Sequence, residues 1–124
     1  MIKFNKNEVD LTKVEERAMN EAINVMSGPK AGNRDSDTIM RNCMTGHIAE
    51  QWLIDNMDMK DFDEQYHDLI DEDGKIVEVK ASVSLKKLQE QYDRIKDATW
   101  NHSDRMIGFL VTGDTYEMVI DIEL

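Results

Sequence analysis

The chain has 124 residues, with 26 acidic and 15 basic side chains and a formal net charge of −11. That length suits one domain with a core of its own, and a single cysteine, Cys43, excludes an internal disulfide framework. No apolar run is long enough for a membrane span, and the opening MIKFNKNEVD lacks the apolar stretch of a secretory signal, so a cytoplasmic α/β domain is expected. The first helix is announced by Thr12 and Glu15, spaced as a capping box, and by Leu11, Val14, Ala18, Ala22 and Val25 at helical intervals. It ends at SGPKAGN, where Gly28, Pro29 and Gly32 break it, and this loop carries Lys30 and Arg34.

A second helix starts near Ser36 or Asp37, either of which is a suitable cap, and runs to about Asn56. Its apolar stripe is Ile39, Met40, Cys43, Met44, Ile48 and Trp52; the interior Gly46 suggests a close approach to a neighbour. The period then falls to two. QYHDLI and KIVEVKAS read as strands around DEDG, with Val77, Val79 and Ala81 on one side and Ile76, Glu78, Lys80 and Ser82 on the other. A third helix begins near Ser84, with a stripe of Leu85, Leu88, Tyr92, Ile95 and Thr99. MIGFLVT and YEMVIDI close the chain as a hairpin around Gly113-Asp114. The expected order is α-α-β-β-α-β-β, one α/β domain over 1–124 with a mixed sheet, in which 1–36 form the N-terminal helix and loop and 37–124 the core.

The acids are unevenly spread. Residues 1–41 are balanced, residues 42–78 carry 11 acids and 2 bases, and residues 79–124 carry 8 acids and 6 bases. Such an excess keeps a protein in solution and weakens its hold on nucleic acid, and its concentration in one segment also suits a hard cation. The hairpin sharpens that second reading. If Gly74 takes the left-handed position that ends a three-residue loop, Ile70 pairs with Ile76 and Asp68 with Glu78. Two carboxylates then face each other about 5 Å apart, and a divalent ion relieves their repulsion. Lys80 follows two residues later on the same face. A four-residue loop would instead set Asp68 against Val77, and the three charges also suit a plain solvated face.

The run D68-LIDEDGKIV-E78-V-K80 resembles the PD-(D/E)XK nuclease superfamily, which has the restriction endonuclease-like fold, in its spacing and in its order of apolar strand, glycine hairpin, apolar strand and helix. G46-HIA-E50 is similar to the helical glutamate element of that family, and Gln89, Gln91 and Tyr92 fall where some members carry a helical glutamine and tyrosine. His67 replaces the proline that many members have before the aspartate. The resemblance implies a Mg²⁺ ion, replaceable by Mn²⁺, held by Asp68, Glu78 and the Val79 carbonyl, with Glu50 above it on a second ion or a coordinated water. Lys80 would orient the attacking water in phosphodiester hydrolysis that leaves 5′-phosphate ends. Ser82 and one of Gln89 or Gln91 would position the DNA backbone; the charges of Lys30, Arg34, Arg41, Lys86, Lys87, Arg94 and Lys96 also suit nucleic-acid contacts, but Glu90, Asp93 and Asp97 interleave on the third helix and fit a mixed solvated face equally.

The expectation is therefore a DNA endonuclease that nicks as a single site and needs a homodimer for double-strand or junction cleavage. A protein partner that lends DNA affinity suits the acidic balance. Two other readings fit the same residues: a catalytically silent acidic module that inhibits or assembles with a nucleic-acid enzyme, and an RNA-acting enzyme of the same fold. Cys43 and His47, four residues apart on a helix, have the spacing of a zinc pair, but no second cysteine accompanies them and Cys43 also suits the core.

Overall fold

A computed structural model describes residues 2–63, 68–99 and 102–124; the side chains of Asp63 and Asp68 also lie outside the described residues. The elements are β1 (Lys3–Asn5), α1 (Leu11–Met26), α2 (Ser36–Asn56), β2 (Lys60–Asp63), β3 (Asp68–Ile70), β4 (Ile76–Ser82), α3 (Leu85–Lys96), β5 (Arg105–Thr112) and β6 (Thr115–Glu123). The strands form one mixed sheet in the order β1-β6-β5-β4-β3-β2. Every neighbouring pair is antiparallel except β4 and β5, which are parallel. Parallel neighbours need a crossover, and α3 supplies it. Among the described residues no helix is long and apolar enough to cross a membrane.

The mixed α/β class agrees with the sequence expectation, but the element order does not. Two strands, β1 and β2, add to the expected α-α-β-β-α-β-β. Both are short edge strands with one apolar side chain each, Phe4 and Phe62, so neither carries the alternation that marks a strand. They form because β6 and β3 offer them unpaired backbone. The strand expected to begin at Gln65 is described only from Asp68, and residues 65–67 of that expectation, His67 among them, lie outside the described residues.

Caps also moved. The N-cap of α1 is Asp10, whose Oδ1 accepts from the backbone N–H of Thr12 at 3.0 Å, so Thr12 lies inside the helix. Asp35, one residue before Ser36, caps α2 by accepting from the Thr38 N–H at 2.8 Å. Ser84 caps α3 as expected. Leu11 and Leu85, placed on apolar stripes from spacing alone, are exposed because each sits in the first turn of its helix, beyond the buried faces of Val14 and Leu88.

The core lies under α1 and α2. Val14, Ile48, Ala49 and Leu53 pack on Leu69, Val77, Ile107 and Phe109 of the sheet. Phe4 of β1 stacks on both Trp52 and Tyr116 at 4.9 Å between ring centroids, which ties the edge strand to α2. Gly46 does not mark a close approach: a β-carbon built there meets nothing within 4 Å. Gly46→Ala is therefore expected to stabilise the fold by about 0.5–1 kcal/mol, read as a rise in the urea midpoint at unchanged slope.

Candidate functional site

Gly74 sets the geometry of the central hairpin. Its φ of 80° is open to glycine and strained for other residues, and its N–H donates to the Asp71 carbonyl at 3.0 Å. The Asp71 N–H donates to the Lys75 carbonyl at 3.0 Å, which closes the three-residue loop. Leu69 then pairs with Val77 and Ile70 with Ile76, and the paired stretch ends there, one residue short of Asp68 and Glu78. This is the register expected from the sequence; the rival four-residue loop is not formed.

Asp71 stabilises the turn with its side chain. Its Oδ1 accepts from the N–H groups of Asp73 and Lys75, and its Oδ2 accepts from Arg105 Nη1 at 3.2 Å. Arg105 also makes a two-pronged bond to Asp121, both at 2.7 Å. Its burial disfavours the Asp71 carboxylate, but these donors outweigh that and hold its pKa below the usual value. Sequence spacing gave no hint of the Arg105 contact, since it spans 34 residues.

Strand alternation then divides β4 between two faces. Val77, Val79 and Ala81 join the core beneath α2. Glu78, Lys80 and Ser82 turn to the opposite face, which α3 covers with its buried Leu88 and Ile95. Glu78 stands beside the fully buried Met106 of β5. Its Oε1 is 3.0 Å from Lys80 Nζ and its Oε2 accepts from Ser103 Oγ at 3.5 Å. Both side chains of the pair are partly exposed, at 22% for Glu78 and 30% for Lys80. On α3, Gln91 brings a buried Oε1 with no hydrogen-bond donor among the described residues.

Glu50 does not join that pair. It lies in the seam between α1 and α2, on the other side of the sheet, where Arg17 Nη2 stands 3.4 Å and His47 Nδ1 2.9 Å from its Oε2. Arg17 continues to Asp61 of β2 at 2.6 Å, and His47 Nε2 lies 2.6 Å from Glu21. The physical reason is the period of two: with Val79 under α2, Glu78 and Lys80 must face away from it. The line Glu21–His47–Glu50–Arg17–Asp61 thus alternates acid and base, buried at His47 and Glu50 in the middle and open to solvent towards Glu21 and Asp61. Burial opposes charge on His47, but the bonds to Glu21 and Glu50 overcome it and raise its pKa to about 9. Both ring nitrogens face carboxylates, so His47 is not disposed as a zinc ligand, and Cys43 is a core residue whose thiol is pushed up to about 11 by burial and by Glu21.

The candidate nucleic-acid contacts are scattered. Lys30 and Arg34 belong to the α1–α2 connection, and Arg34 folds back onto it by donating to the Lys30 carbonyl at 2.7 Å. Ser82 Oγ accepts from the Ser84 N–H at 3.1 Å and so shapes the turn into α3. Lys86 and Lys87 are exposed on the first turn of α3. Gln89 is exposed and donates to Asp93 at 3.1 Å, and Lys96 lies 5.3 Å from the centre of the Tyr92 ring.

Among the described residues no three His, Cys, Asp or Glu side chains converge as a metal cage. Glu78 is a hard oxygen donor beside a lysine, and Asp68, the residue before the paired Leu69, has its side chain outside the described residues. One or two carboxylates suffice for a Mg²⁺ ion that keeps most of its waters, so the donors present fit that ion. Comparison with protein-family models, with curated proteins and with solved structures yields no match.

Proposed function

We propose that this chain is a Mg²⁺-dependent DNA endonuclease of the restriction endonuclease-like fold. The observation that carries the reading is the Gly74 hairpin register, which leaves Glu78 and Lys80 in contact on one half-open face beside α3. The succession β3, glycine hairpin, β4, α3 supports it, because that is the order on which the resemblance rests. Glu78, with Asp68 and the Val79 carbonyl, would hold the ion, and Glu50 takes no part. Mg²⁺, when bound, supplies polarisation of the phosphoryl group and acidifies water. Lys80 offsets charge on the phosphate and orients the nucleophile with its ammonium hydrogens. Ser103 flanks the site, its hydroxyl 3.5 Å from Glu78 Oε2.

One such site cuts one strand, so double-strand or junction cleavage calls for a homodimer or a protein partner. A chain of net charge −11 has weak affinity for long duplex, and the affinity falls steeply with salt. The test is incubation of the protein with supercoiled plasmid, single-stranded DNA, a branched junction and RNA, in Mg²⁺, Mn²⁺ or EDTA. Cutting of DNA in either metal and none in EDTA is expected, with loss in Asp68→Ala. RNA cut in preference to every DNA, or all four polymers left intact, overturns the proposal.

A further inference from the structure

The turn between β4 and α3 is unlike the rest of the surface. Val83 is 78% and Leu85 57% exposed, the two highest values among the exposed large apolar residues of the described chain. They sit three and five residues beyond Lys80. The turn is held rigidly: Ser82 Oγ accepts from the Ser84 N–H at 3.1 Å, and Ser84 Oγ accepts from the Lys87 N–H at 3.3 Å. Val83 is also stiff at χ1. The result is a preformed apolar tip that loses little freedom when it is covered.

Charge indicates what covers it. Residues 80–87, KASVSLKK, carry three lysines and no acid in a chain of net charge −11. Lys86 and Lys87 are exposed directly after the tip, whereas Lys80, before it, is paired with Glu78 at 3.0 Å, so two lysines are left to meet phosphates there. This short basic stretch can meet only a few phosphates, too few to hold a long duplex by counterion release alone. Apolar side chains set between phosphate contacts act on nucleic acid by entering between bases, and the unstacking they require is smallest where bases are already unpaired.

We infer that Val83 and Leu85 form a wedge that enters the base stack of a single-stranded or branched DNA beside the Lys80 site, so that the enzyme prefers such strands to uniform duplex. This rests on the nuclease reading above, and two readouts keep their failures apart. The first is the fluorescence of 2-aminopurine placed at the unpaired position of a branched oligonucleotide, which rises when the base unstacks. The second is the cutting rate in Mg²⁺ on branched, single-stranded and fully paired DNA. The paired substitution Val83→Ser with Leu85→Ser lies on exposed positions and leaves the fold intact. It is expected to abolish the fluorescence rise and to slow cutting of branched and single-stranded DNA about tenfold, with duplex cutting unchanged. Lys80→Ala is expected to lose cutting and keep the rise. A rise in the wild type without metal-dependent cutting supports the wedge and overturns the nuclease reading. Equal rise and equal rates in the wild type and the paired variant overturn the wedge.

Discussion

Lys80→Ala is expected to slow Mg²⁺-dependent cutting by about a hundred- to a thousandfold, with little change in melting temperature. Both halves follow from the surroundings of the ammonium. The Lys80–Glu78 pair is partly exposed, and such pairs contribute about 1 kcal/mol or less to stability. Glu78 keeps Ser103 within 3.5 Å when the lysine is gone. A charge aimed at developing phosphate charge in a half-dry face is worth far more in the transition state, about 3–4 kcal/mol for one well-placed donor. Single-turnover rates with saturating DNA, set beside thermal melts of the same samples, check the prediction. A collapse in melting temperature, or cutting within threefold of the wild type, would falsify the assignment of Lys80 to the chemistry.

Raising the pH from 7 to 9 is expected to remove roughly 2 kcal/mol of stability, and His47→Ala to remove a similar amount already at pH 7. His47 is 2% exposed and lies between Glu21 and Glu50. Its ring holds its proton up to about pH 9, against 6.5 when unfolded. Below pH 6.5 both states carry the charge and the full stabilisation is present. Between 6.5 and 9 the unfolded ring loses its proton while the folded one keeps it, so the gain shrinks, and past 9 it is gone. Urea midpoints measured across this range should fall for the wild type and stay nearly flat for His47→Ala. A wild-type profile as flat as that of the variant would show that the imidazolium does not hold the two helices together.

The hairpin was legible in the sequence because glycine in a short loop fixes which residues face each other, and a period of two does the rest. The extent of α2 and the start of α3 were legible for the same kind of reason: apolar spacing over several turns outweighs any single breaker, Gly46 included; α3 ends at Lys96, short of the Thr99 placed on its stripe. The seam between α1 and α2 was not legible. Arg17 meets Glu50 and Asp61 from 33 and 44 residues away, and no local pattern announces such a contact. Glu50 shows how this matters: its helical spacing from Gly46 resembles a family element, yet its surroundings pair it with Arg17 and His47. Thr12 with Glu15 matched a capping pattern, but Asp10 stood two residues earlier and reached the free N–H groups first.

Phe4 rests against Tyr116 on the neighbouring strand and against Trp52 on the helix, so its shelter is assembled from parts far apart along the chain. Emerging from a ribosome, residue 4 must wait for 116 − 4 = 112 more to be added before its ladder partner exists. This strand is thus among the last to find its place, and until then its ring is open to whatever chaperone or stray sheet edge comes near.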